Sequence, residues 1–296
     1  MRTGSGICFT KKRGEKVDGK RILSALPQRL REAANACGDG LRELRIYRGG
    51  CASAVTQGGV KKLGAVSESE FGKLFSELCG GAPYAFEEQI KRGYFTVGGC
   101  RIGVCGTAVA ESGAVVSVKD VRSLNIRFAR QIKGCADGLL FALGGSVRGG
   151  LLLAGPPACG KTTLLRDLAR QISITGRKVC VIDERGEIAA VSGGVPAADV
   201  GPLTDVLDGY PKTLAAELAL RCLSPDVIVC DEVGSGEADA LAECADCGVD
   251  VVAAVHGGES SRRFRRLADS GCFRRAAFFK TGEVGVIERV IRLADG

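Results

Sequence analysis

The stretch Gly155-Pro156-Pro157-Ala158-Cys159-Gly160-Lys161-Thr162 fits the pattern G-x-x-x-x-G-K-[ST]. Such a pattern arises by chance often enough that its surroundings must decide. An apolar run, GGLLLA, precedes it. After it, from Thr163, Leu164, Leu165, Leu168 and Ile172 recur at helical spacing. Strand, glycine-rich loop and helix in that order let backbone N–H groups converge on phosphate oxygens, with the positive end of the helix behind them. The expected ligand is therefore a nucleotide, ATP, seated on residues 155–163. Lys161 is expected to reach the β- and γ-phosphates, and the Thr162 hydroxyl to hold Mg²⁺.

Working outward, three more apolar runs end in polar residues. Pro225-Asp-Val-Ile-Val-Cys leads into Asp231 and Glu232. An acid at the carboxyl end of a buried strand can orient Mg²⁺, here Asp231, and its neighbour Glu232 can polarise an attacking water. KVCVID leads into Asp183, Glu184, Arg185 and Glu187, expected to face the same crevice; a salt-bridged loop is the plainer alternative. VDVVAAV ends in His256, the single histidine of the chain, placed to sense a γ-phosphate or simply to satisfy the end of a strand.

These short continuous apolar runs, separated by helical segments, are what a parallel sheet buried on both faces demands. Residues 126–296 are thus expected to form an α/β domain around a mainly parallel sheet. Residues 1–125 differ. Ser67 and Glu70 have capping-box spacing ahead of Phe71, Leu74, Phe75 and Leu78, and GYFTVGGCRIGVCGTAV alternates as a hairpin does. That half is a smaller α+β domain, with the boundary near residue 125.

Charge divides the same way. Residues 1–125 carry 20 Lys/Arg against 12 Asp/Glu, and residues 126–296 carry 21 against 22, so the whole excess of +7 lies in the first part. A basic domain suits nucleic acid, an anionic membrane surface or another subunit, and a solvated basic face is the bland reading. Nucleic acid is the least favoured of these. Residues 1–31 interleave nine Lys/Arg with Phe9 alone, and stacking platforms need more aromatics than that.

The 14 cysteines are scattered through apolar runs rather than spaced as a disulfide framework, which fits free thiols in a reducing compartment. Cys244 and Cys247 lack further ligands for zinc and share a helical face instead. No signal-like or membrane-spanning run is legible, so a cytoplasmic protein with at most peripheral membrane contact is expected.

The four elements in this order resemble the RecA-like secretion-type ATPases, whose Walker A loop, acidic box, Walker B strand and His box follow one another. Several segments resemble the stage III sporulation protein AA family more narrowly: VIDERGEIAA, GVPAADVGPLTDVLDGYPK, SPDVIVCDEVG and SLNIRFAR. That resemblance implies an Mg²⁺-dependent ATPase assembled as a homo-oligomeric ring, a hexamer, on the mother-cell side. It would energise membrane-embedded channel proteins of sporulation. It also implies a role for Glu184 in the acidic box, and for an arginine from the N-terminal domain near the γ-phosphate; Arg101 and Arg127 match that pattern, and each could instead be an interface salt bridge. One departure is that the box reads Asp183-Glu184-Arg185 here rather than Glu-Asp-Pro. A nucleic-acid-stimulated RecA-like motor is the alternative output.

Overall fold

A computed structural model of the chain describes residues 7–8, 15–16, 19–56, 58–128, 130–234 and 236–293. Two compact units emerge from it. One comprises residues 15–130 and 190–197; the other comprises 1–14, 131–189 and 198–296.

The first unit is an antiparallel sheet with helices. Its strands are β1 (Glu43–Tyr47), β2 (Cys51–Thr56), β3 (Gly59–Ala65), β4 (Tyr94–Val97), β5 (Cys100–Glu111) and β6 (Ala114–Phe128), arranged in the order β3-β2-β1-β6-β5-β4. Alternate residues point inward, so Leu44, Ile46, Phe95, Ile102 and Ile126 are buried while their neighbours face out. Onto that face pack Ile22 from α1 (Lys20–Ala25), Leu30 from α2 (Gln28–Asn35), and Phe71, Leu74 and Leu78 from α3 (Glu68–Leu78). Pro27 stands between α1 and α2, ending one and starting the other, as a residue without an N–H to donate should. The Ser67–Glu70 capping box is formed at the start of α3, satisfying two otherwise orphaned backbone donors.

The sequence places a boundary near residue 125, but β6 runs through it. Its ladder to β1 continues as far as Arg127 opposite Glu43, and the units divide after residue 130. The chain also returns to this unit briefly, for the short hairpin Val191–Pro196.

The second unit holds an eight-stranded sheet among the described residues. Its strands are Ile7–Cys8, then β7 (Leu151–Gly155), β8 (Val179–Asp183), β9 (Thr204–Asp208), β10 (Val227–Cys230), β11 (Asp250–His256), β12 (Arg275–Phe279) and β13 (Val286–Arg292). The order across the sheet is Ile7–Cys8, β13, β12, β7, β11, β10, β8, β9. From β12 to β9 every pairing is parallel, and β13 and Ile7–Cys8 join antiparallel at one edge. Strands β7, β8 and β10 are buried at every residue, which is why they appear as unbroken apolar runs rather than alternating ones.

After the short helices α4 (Glu87–Lys91) of the first unit and α5 (Asp137–Ala142) of the second, helix α6 (Lys161–Ile174) covers the sheet with Leu164, Leu165, Leu168 and Ile172. Gly150 allows β7 to enter beside β12: at φ +82°, a Cβ there would lie 2.0 Å from the Cys272 carbonyl oxygen. Among the described residues no helix is long and apolar enough to cross a membrane.

Candidate active site

In a parallel sheet all carboxyl ends lie on one edge, so the loops leaving adjacent strands converge there. Gly155 ends β7 directly opposite His256, which ends β11, and β10 stops next door at Cys230, with Asp231 and Glu232 following. Sheet register therefore brings to one place residues that are 95 positions apart in the case of Lys161 and His256.

The loop from Pro156 to Gly160 curls tightly enough to need left-handed backbone at Ala158 (φ +58°) and Gly160 (φ +108°). Gly155 has no room for a side chain, since a Cβ would lie 2.8 Å from the Phe279 Cβ and 2.9 Å from the Cys159 sulfur. Lys161 opens α6 and is buried. Its ammonium donates to the carbonyls of Gly155 (3.0 Å) and Pro156 (2.7 Å) and to His256 Nδ1 (3.1 Å). Thr162 donates its hydroxyl to Asp231 Oδ2 at 2.6 Å, and Thr163 continues the helix.

An ammonium has no lone pair, so His256 Nδ1 must accept from it, and the proton of the neutral ring sits on Nε2. That N–H is directed at Glu232 Oε1, 2.5 Å away. The other carboxylate oxygen of Glu232, Oε2, accepts from Arg185 at 2.9 Å. Burial pushes Glu232 upward, but the His256 hydrogen bond and the charges of Arg185 and Lys161 outweigh it, and its pKa falls below the ordinary carboxylate value. Asp231 moves the other way. Its burial raises it, opposed by the Thr162 hydroxyl. Burial likewise raises the Cys159 thiol, with Lys161 opposing.

Asp183, Glu184, Arg185 and Glu187 of the acidic box line one small crevice together with Asp231 and Glu232. Asp183 is only 2% exposed and folds back on its own loop. Its carboxylate accepts the backbone N–H groups of Glu187 (2.8 Å), Ile188 (3.1 Å) and Ala189 (2.8 Å). Arg166, 4% exposed on α6, holds the same loop from the other side through the carbonyls of Ile188 and Glu187, both at 2.6 Å. Glu184 pairs with Lys212 at the start of α7 (Lys212–Leu218), 2.6 Å away, and lines a small crevice together with Asp231 and Glu232. Only Arg185 of this loop reaches the Glu232 carboxylate. Nothing in the spacing of Asp183, Arg166 or Lys212 announced these roles, because each acts on backbone or charge brought near by the fold. For Arg185 a signal existed: a cation beside one acidic strand end is a natural counter-charge for the acid ending the next strand.

Arg101 and Arg127 lie in the other unit, opposite one another on β5 and β6. The Arg101 guanidinium stacks 3.9 Å from the centre of the Tyr94 ring, and Arg127 approaches Glu43 at 3.5 Å.

Whether Mg²⁺ suits this site can be judged from its donors. Thr162 Oγ1 and the Asp231 carboxylate are hard oxygens already 2.6 Å apart, at the mouth of a loop whose helix points its N-terminus outward. Oxygen ligands few in number, completed by waters and phosphate, are what Mg²⁺ prefers. The residues fit.

Fold and site together define a RecA-like P-loop fold, with an α+β unit formed mainly by the earlier part of the chain. The solved structures most like it include the Legionella pneumophila ATPase DotB, with a TM-score of 0.58 and 17% identity over 86% of this chain and 77% of that one. The pilus retraction motor PilT with bound ADP is similar, with a TM-score of 0.57 and 16% identity over 83% of this chain and 76% of that one. The chain belongs to the family described as sporulation stage III, protein AA, whose model matches residues 13–285. It is 41% identical over 201 residues to stage III sporulation protein AA of Bacillus subtilis, and the match spans 65% of each chain.

Proposed function

We propose that this chain binds ATP on residues 155–163 and hydrolyses it to ADP and phosphate. The observation that carries this reading is the hydrogen-bonded chain Lys161–His256–Glu232 beside the hydrogen-bonded pair Thr162–Asp231, gathered after three adjacent strand ends. Lys161 and the loop N–H groups would bind the β- and γ-phosphates, and Thr162 and Asp231 would hold Mg²⁺. The metal, when bound, neutralises developing charge on the phosphate oxygens.

Glu232 is kept ionised, so it can accept a hydrogen bond from an attacking water and orient it. His256, donating to Glu232 and accepting from Lys161, links the carboxylate to the group that would touch the γ-phosphate. It is thereby suited to report whether that phosphate is present. Glu184 would assist from the box loop.

The similarity to DotB and PilT and the family membership support a motor working as a homo-oligomeric ring, which we take to be a hexamer. We place it in the cytoplasm of the mother cell, docked peripherally on membrane-embedded channel proteins of sporulation. The test is phosphate release from Mg-ATP by the purified chain. Wild type should turn over, and Lys161→Ala or Glu232→Gln should lower the rate about 100-fold or more, the usual scale for losing preorganised charge at a phosphate. Full turnover by both variants would refute the assignment.

A further inference from the structure

We infer that Arg185 is a positioning residue for Glu232, holding its carboxylate in the orientation from which it can act on water. The inference rests on the reading of Glu232 given above, and three observations lead to it.

The two carboxylate oxygens are divided between two partners from different elements: His256 at the end of β11 takes Oε1 at 2.5 Å and Arg185 in the loop after β8 takes Oε2 at 2.9 Å. One contact would leave the carboxylate free to swing about a single oxygen; two from different directions fix its plane. Each carboxylate oxygen still has a second lone-pair direction open for water.

Glu232 also sits at φ +41°, in the left-handed region that a residue with a Cβ rarely adopts. Such a conformation persists only where the surroundings hold it, and here its side chain is what the surroundings hold.

Arg185 in turn stands on a rigid mount. Its loop begins with Asp183 and turns at Gly186 (φ +65°), whose N–H bonds back to the Asp183 carbonyl at 3.2 Å. It is then pinned by the Asp183 carboxylate and the Arg166 guanidinium on either side of its backbone, and by the Glu184–Lys212 pair next to Arg185 itself. Buried bonds made by charged groups to backbone are among the strong ones in a protein. A guanidinium carried by such a loop is delivered to a fixed point.

The pair Arg185–Glu232 is not there for stability. Arg185 is 57% exposed and Glu232 27% exposed, and ion pairs so open to water add little to folding. Removing Arg185 should therefore leave the fold intact while loosening the carboxylate, and small displacements of a reacting group have large kinetic consequences.

The experiment compares wild type, Arg185→Ala, Arg185→Lys, Glu232→Gln and the double variant Arg185→Ala/Glu232→Gln. Each is measured by single-turnover phosphate release and by equilibrium binding of a fluorescent ATP analogue. We expect Arg185→Ala to slow the chemical step about 10- to 100-fold with analogue affinity within about twofold of wild type, and Arg185→Lys to recover part of the loss. The double variant should be no slower than Glu232→Gln, because Arg185 acts through Glu232. Arg185→Ala turning over like wild type, or faster, would overturn the inference, as would a double variant slower than Glu232→Gln. Wild-type turnover by Glu232→Gln alone would instead bring down the reading of Glu232 on which it rests.

Discussion

The two sheets of this molecule use charged residues in opposite ways. In the second unit the central strands β7, β8 and β10 are apolar up to their carboxyl ends, and the acids Asp183, Asp231 and Glu232 stand at or just after those ends. In the first unit charges lie within the strands, on the outward face of an alternating pattern. Glu43, Arg127 and Arg101 fall opposite one another across β1, β6 and β5. The difference follows from strand direction. Parallel strands deliver their ends to one edge, where residues far apart in sequence meet at a point; antiparallel strands send successive ends to opposite edges, and charges accumulate as rows across a face. Convergence makes a pocket chemistry, and a row makes a surface for contact.

The sharpest way to break this comparison is to move the chemistry. Lys161→Ala should reduce ATP turnover about 100-fold or more. Lys161→Ala should also weaken nucleotide-analogue binding, whereas Arg101→Ala and Arg127→Ala, which remove members of the row, should leave it unchanged. Equal effects on binding from all three would erase the distinction.

Next in size is the stability of the buried strands. Leu153→Ala in the middle of β7 removes a fully buried side chain and should destabilise the protein by about 2–5 kcal/mol in a denaturant titration. Val60→Ala on β3, 73% exposed, should change it by less than about 0.5 kcal/mol. Asp183→Asn lies between, at about 2–3 kcal/mol, since it exchanges a charged acceptor of backbone N–H groups for a weaker one.

The smallest effect concerns thiol reactivity. Cys159 is buried within the loop, and its raised pKa keeps it protonated further into the alkaline range than an ordinary thiol. Since the thiolate is the reactive form, alkylation at Cys159 should lag behind the exposed Cys105, Cys222 and Cys247, and the gap should narrow as pH rises. Peptide mapping after brief iodoacetamide treatment would show the order. Rapid labelling of Cys159 at neutral pH would mean that the loop opens to solvent.

What could be read from the sequence were the features that depend on local pattern. The phosphate loop, the apolar strands, the Ser67 cap and the acids and histidine at strand ends all follow from spacing along a few residues. What could not be read depended on where distant backbone ends up. Asp183 lines the crevice, but its loop curls back so that its carboxylate accepts three backbone N–H groups, a partnership that spacing along the chain does not show. Arg166 sat among apolar positions of α6 with no visible partner, because its partners are carbonyls some twenty residues on. The first unit ends a few residues beyond the change of texture near residue 125, because the β1–β6 ladder runs on to Arg127.

The central claim is that strand ends β7, β10 and β11 form one hydrolytic site, and the Glu232→Gln variant tests it most directly. Followed through a single turnover with Mg-ATP, this variant should bind nucleotide as tightly as wild type yet release phosphate at least about 100-fold more slowly. Unchanged release, with binding intact, would contradict it and leave the convergence of those side chains without a catalytic meaning.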